Sequence, residues 1–253
     1  MQLKVLGCSG GIGGENRTTA FLLDEHVLID AGTGVGSLSL ESLLAIDHIF
    51  LTHAHFDHIA CLPMLLDTVA GMRRGAPITL HARRDTITIL QEHVFNWRIW
   101  PDFSLIPDES NALLHFSPQE VGETHEVAGC RITALPAVHT VPAVGFGLDS
   151  GKSTVVFSGD STGGDAFWAA VNSTQNLATL IIETAFPVRE ASLAHAARHL
   201  CPATLQCELA RLTLPAEILI THLKPADSEL ILHEIEALGL SARALCTGEV
   251  IEF

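Results

Sequence analysis

Short apolar segments rich in Val, Ile and Leu recur along the chain. Each closes abruptly on Gly, Asp or His, and longer stretches with apolar residues at helical spacing lie between them. A brief apolar run bounded by turn residues reads as a strand buried on both faces, whereas a 3.6-residue period reads as a helix with one buried side. Strands are predicted at residues 3–6, 19–23, 26–30, 48–52, 78–81, 131–136, 143–148, 153–158, 180–183 and 217–221. Helices are predicted at 36–45, 58–71, 83–96, 164–172, 192–199, 204–212 and 227–238, with Asp227 able to cap the last and Gly239 able to end it. This alternation implies a layered α/β fold. No repeat, low-complexity tract or long linker interrupts it, so residues 1–253 read as a single domain. The segment 101–129 is the least regular and reads as an insertion or a lid.

Composition narrows the functional classes. A hydrophobic content of 47% is ample for a core, and 14 Lys plus Arg against 29 Asp plus Glu give a net charge of -15. That field repels polyanions, so a long nucleic acid is a poor partner unless a metal or a local patch reverses it. Cys8, Cys61, Cys130, Cys201, Cys207 and Cys246 are scattered with no CxxC pair, which reads as reduced and mostly structural. Residues 1–14 lack the apolar core of a secretory signal, and no run approaches the ~18 apolar residues of a membrane span. The expectation is a cytoplasmic protein without membrane association. Glycine-rich stretches at 7–14 and 32–36 fit neither a dinucleotide fingerprint nor a phosphate loop, and read as turns where the backbone approaches something closely.

The chemistry is concentrated in THAHFDH at 52–58, directly after the apolar Ile49, Phe50 and Leu51. Neutral imidazoles and carboxylates together form first-row metal sites, and packing them beside a buried strand end without a metal would strand several polar groups. His53 and His55 lie two apart in an extended segment, while Asp57 and His58 begin the next helix. Two divergent pairs suit two neighbouring ions. Further ligands are expected at other strand ends. His139 follows ITALP, Asp160 ends VVFSGD and His222 ends EILITH, so a bimetal centre is the favoured reading. His26, His48, His93, His115, His125, His195 and His233 are taken as satisfied core or surface histidines.

H-x-H-x-D-H at 53–58, His139, SGD with Asp160 and THLKP with His222 together resemble the metallo-β-lactamase superfamily, as does the early IDAGTG at 29–34. The resemblance implies an αβ/βα four-layer sandwich with its site along one edge of the two sheets. It further implies that His53, His55 and His139 hold one ion, that Asp57, His58 and His222 hold another, and that Asp160 bridges them. Asp30 would support the site from behind. VFNWRIWPDFS at 94–104 and ETAFPVREASLAHAARHLCPATL at 183–205 are similar to the class II 3′,5′-cyclic-nucleotide phosphodiesterases. The second segment also resembles tRNA 3′-end endonucleases, in which a Glu supports a His facing the scissile phosphate; Glu183 and His199 match those positions.

The implied activity is hydrolysis of cAMP or cGMP to a nucleoside 5′-monophosphate by water activated between two divalent ions, with zinc first and manganese or iron as alternatives. Asp57 would orient that water, and His199, held by Glu183, would serve the leaving oxygen. A tRNA 3′-processing endoribonuclease and a lactonase or thioesterase share the ligand set and remain the other readings. A closed structural zinc site is disfavoured, because this ligand count leaves room for water on both ions. Phe95, Trp97, Trp100 and Phe103 could stack on a purine, although helical spacing favours core packing; the same segment could instead form a homodimer contact.

Overall fold

The computed structural model describes residues 1–253. The first half runs β1 (Gln2–Gly7), β2 (Ala20–Leu23), β3 (Val27–Ile29), α1 (Leu40–Ala45), β4 (His48–Phe50), α2 (Phe56–Ile59), α3 (Leu62–Ala70), β5 (Ile78–Ala82), α4 (Arg84–His93) and β6 (Leu114–Pro118). The second half runs β7 (Thr124–Val127), β8 (Cys130–Pro136), β9 (Val144–Asp149), β10 (Thr154–Phe157), α5 (Asp165–Asn172), β11 (Leu177–Glu183), α6 (Ala191–Ala197), α7 (Pro202–Leu209), β12 (Glu217–Thr221), α8 (Ser228–Ala237), β13 (Ala242–Ala244) and β14 (Val250–Glu252). One seven-stranded sheet has the order β14-β1-β2-β3-β4-β5-β6 and the other β13-β12-β11-β10-β9-β8-β7.

Strand residues alternate between two apolar layers, which explains why the strands read as unbroken apolar runs. Phe21, Leu23 and Ile29 face the layer between the sheets, where they meet Phe146 and Phe157, while Leu22 and Leu28 pack outward with Leu66 and Leu90 of α3 and α4. In the second sheet Ile181 and Leu219 face inward, and Leu180, Ile182 and Ile220 pack outward with Trp168, Leu205, Ile231 and Ile235 of α5, α7 and α8. Helix, sheet, sheet and helix therefore stack in four layers, the expected αβ/βα sandwich. No helix is long and apolar enough to cross a membrane, and all six cysteines are free.

Strand direction decides where the site forms. β3 and β4 are parallel, as are β10, β11 and β12, and β8 points the same way as β10 because each is antiparallel to β9. Within each sheet the carboxyl ends of these strands consequently open on one edge. Asp30, the 52–58 segment, His139, Asp160 and His222 all follow those ends, and Glu183 closes β11.

Four strands lie outside the predicted set: β6, β7, β13 and β14, the two edges of each sheet. The irregular 101–129 segment supplies two of them. The helix predicted at 58–71 is broken into α2 and α3, because Ala31 reaches into it: its N–H donates to the His58 carbonyl at 2.7 Å and its carbonyl accepts from Cys61 N–H at 2.9 Å. Residues 36–45 also divide, into a 3₁₀ turn at Thr33–Ser37 and α1, which Ser39 caps by accepting from Ser42 N–H at 3.1 Å. Asp227 precedes α8 but does not cap it; its carboxylate pairs with Arg189 instead. Gly239, at φ 70, follows the end of that helix as expected.

Candidate metal centre

Seven side chains from four strand ends converge in two groups. His53, His55, His139 and Asp160 place one ligand atom each within 4.8 Å of one another, and so do Asp57, His58, Asp160 and His222. Asp160 belongs to both. Its Oδ2 lies 3.7 Å from His53 Nε2 and 3.4 Å from His58 Nε2, while its Oδ1 lies 3.4 Å from His222 Nδ1. In the first group His139 Nε2 faces His55 Nδ1 at 3.1 Å, and in the second Asp57 Oδ2 is 3.7 Å from His222 Nε2.

The outward ring atoms are fixed by what stands behind them. His58 Nδ1 donates to Asp30 Oδ2 at 2.7 Å, His53 Nδ1 lies 2.9 Å from Thr52 Oγ1, and His139 Nδ1 donates to the Arg198 carbonyl at 3.2 Å. Asp30 is fully buried and also accepts from Thr52 N–H at 2.8 Å and from Thr52 Oγ1. Each such bond aims the opposite nitrogen into the cluster, where it presents a lone pair once the ring is neutral. His53 Nε2, His58 Nε2 and His222 Nδ1 are buried with no hydrogen-bond partner. Unpartnered buried nitrogens are costly, and imidazole with carboxylate is a donor set for divalent first-row metals, so the residues fit a pair of ions.

Electrostatics agree with that fit. Burial holds His53 well below its usual 6.5, pushes His222 down to about 3 and His139 down to about 4, leaving neutral rings able to ligate. Burial would raise Asp160, but His222 and His58 outweigh it and hold the carboxylate ionised. His58 is the exception: burial pushes it down, yet Asp160 and Asp30 together hold it well above 6.5.

Glu183 and His199 meet beside this cluster. Glu183 Oε1 accepts from His199 Nδ1 at 2.8 Å and from Ser161 N–H at 3.2 Å, and its Oε2 accepts from Leu200 N–H at 3.3 Å. The His199 ring lies 5.1 Å from the His222 ring in a stacked arrangement and 4.9 Å from that of His139. Burial raises the Glu183 carboxyl, while His199 is raised against burial by its bond to Glu183.

Thr52, Ser161 and Arg198 belong to this framework and were not singled out from sequence. Of the aromatic segment, Phe95 and Phe103 are sealed in the core and cannot offer a stacking face; Trp100 packs partly against that core and Trp97 is 62% exposed. His48 and His125 are not isolated: His48 Nδ1 is 3.0 Å from His81 Nε2, and the His81 and His125 rings are 4.7 Å apart, a second histidine set between the sheets.

A family model described as a beta-lactamase superfamily domain matches residues 25–223, a span that contains every residue of the cluster. The chain belongs to the beta-lactamase superfamily. Among curated proteins this superfamily member is similar to a probable 3′,5′-cyclic-nucleotide phosphodiesterase of Yersinia pestis, with 37% identity over 60 residues covering 24% of this chain and 16% of that protein. It is also similar to ribonuclease BN of Erwinia tasmaniensis, with 30% identity over 159 residues covering 59% of this chain and 49% of the relative. The chain thus spans about half the length, or less, of these curated relatives. Among solved structures, unliganded yeast PDE1 superposes with a TM-score of 0.78 at 19% identity over 98% of both chains. The short form of human tRNase Z gives 0.70 at 19% identity, over 100% of this chain and 99% of that one. At such identities the likeness establishes the fold, and the cluster must speak for the chemistry.

Proposed function

We propose that this protein is a divalent-metal-dependent phosphodiesterase that opens a 3′,5′-cyclic nucleotide to the nucleoside 5′-monophosphate. The observation that carries the reading is the buried Glu183–His199 pair lying against both ligand groups, because it sets a proton-bearing imidazole beside the place where a phosphoryl group would dock. The similarity to a cyclic-nucleotide phosphodiesterase over 60 residues supports it.

In this reading His53, His55, His139 and Asp160 hold one ion, and Asp57, His58, His222 and Asp160 hold the other; zinc suits the imidazoles, and manganese or iron would fit the same donors. Two such ions, when bound, supply an activated water and neutralise charge building on the phosphoryl oxygens. Asp57, the most exposed of the carboxylates at 28%, faces solvent and orients the attacking water. As the P–O3′ bond breaks, His199 Nε2 gives its proton to the departing O3′, and Glu183 steadies the ring through Nδ1. The phosphate stays on the 5′ oxygen, so one water is consumed and one product forms.

A second reading is an RNA 3′-end endonuclease, favoured by the match to ribonuclease BN. The net charge of -15 weighs against a long polyanion. Zinc-loaded protein should convert cyclic AMP or cyclic GMP to 5′-monophosphates. His199→Ala should lower kcat by about 10²–10⁴-fold while metal content stays unchanged. Intact cyclic nucleotides beside cleavage of a 3′-extended tRNA would favour the second reading, and turnover of acyl esters that survives His199→Ala would make it a lactonase or thioesterase.

A further inference from the structure

Arg198 ends α6 in the left-handed region, at φ 55, a conformation that glycine or asparagine adopts more readily. It is tied twice to one residue. Its carbonyl accepts from His139 Nδ1 at 3.2 Å, and its guanidinium Nη1 donates to the His139 carbonyl at 2.7 Å. In a chain with 29 acidic side chains, this guanidinium pairs with no carboxylate and is committed to a main-chain oxygen instead. An arginine that merely solvated a helix end would have no reason to hold that geometry.

The two ties act on a ring that matters. With Nδ1 fixed by the Arg198 carbonyl, His139 Nε2 is turned towards His55 and Asp160. The next residues, His199 and Leu200, are both bonded to Glu183, which also accepts from Ser161, the neighbour of Asp160. Arg198 therefore stands where the tether to one ligand group meets the tether to the proton donor.

We propose that Arg198 is a positioning residue that locks the ring of His139 and its spacing to His199, so that one ligand group and the proton donor keep a single geometry. The proposal rests on the reading of the two groups as an ion-binding centre. The carbonyl behind the ring is main chain and survives any substitution, so the side chain's part is to hold the His139 backbone that carries the ring. Losing that half of the support lowers metal affinity by roughly 10-fold, the low end for a lost partner behind a ligand. The loss falls first on the group containing His139, whose ring Arg198 faces, and reaches the second group only through the shared Asp160.

Arg198→Gly is the informative variant, since glycine keeps the left-handed backbone while removing the guanidinium; Arg198→Lys restores a single donor and guards against a folding defect in the first. The readouts are a Co²⁺ binding isotherm, the visible absorption of the cobalt protein, and the separation of kcat from KM. The expected result is one binding step weakened roughly 10-fold with the other affected less, an altered cobalt spectrum, a lowered kcat at similar KM, and partial recovery in Arg198→Lys. Wild-type isotherm, spectrum and kcat in Arg198→Gly would overturn the positioning role alone. A wild-type protein that takes up no cobalt would overturn the ion-binding reading and this proposal with it.

Discussion

Replacing Gly10 with alanine perturbs the centre without substituting any side chain of the cluster. A β-carbon on Gly10 would lie 2.4 Å from the His222 carbonyl oxygen and 3.0 Å from its ring Cδ2, where ordinary contact begins at 3.4 Å. The turn carrying Gly10 has little freedom to yield: Gly10 N–H donates to the Leu223 carbonyl at 2.9 Å, Lys224 Nζ donates to the Gly10 carbonyl at 2.6 Å, and His222 N–H donates to the Cys8 carbonyl at 2.8 Å. About 1 Å of displacement thus falls on His222, and a shift of that size costs on the order of 10²-fold in rate. Overpacking adds about 1–3 kcal/mol of destabilisation. Metal content, kcat and thermal stability of Gly10→Ala should be measured beside Gly71→Ala, where an added β-carbon meets nothing within 4 Å. If Gly10→Ala keeps its metal and a kcat within about twofold of wild type, the close approach does not position His222, and the reasoning from packing to catalysis fails.

Asp30→Ala strands the Thr52 N–H, the Thr52 hydroxyl and His58 Nδ1 in a buried site, so urea unfolding should show a loss of about 3–5 kcal/mol; a loss under about 1 kcal/mol would mean these bonds are dispensable. His58 gives a pH prediction with a definite sign. Because Asp160 and Asp30 hold it well above 6.5 in the ion-free protein, it is an imidazolium at neutral pH and must lose a proton before ligating. Metal affinity should therefore rise with pH up to that raised value and level off beyond it. Calorimetry in two buffers of different ionisation enthalpy should reveal the released proton, and a heat of binding independent of buffer would contradict it.

The clustering of these side chains was legible in sequence because each follows an apolar run that stops abruptly on a His or Asp, a pattern the parallel strands translate into one open edge. The glycine turn at 7–14 was legible too: Gly7 and Gly10 are places where a β-carbon would meet the backbone of Thr18 and of His222. Edge strands were not. Leu114–Pro118 and Thr124–Val127 are paired on one side only and carry polar, partly exposed residues, so they lack the apolar signature that marks the interior strands. Nor does sequence announce Arg198, since a left-handed arginine leaves no local trace and its partner His139 is 59 residues away. The same holds for His48 and His81, which meet only because β4 and β5 pair.

Anomalous diffraction from zinc-loaded crystals tests most directly whether Asp160 joins two ions. Two peaks should appear, one among His53, His55 and His139 and one among Asp57, His58 and His222, with an Asp160 oxygen ligating each. A single peak, or zinc bound only elsewhere, would contradict the two-ion centre on which the phosphodiesterase reading depends.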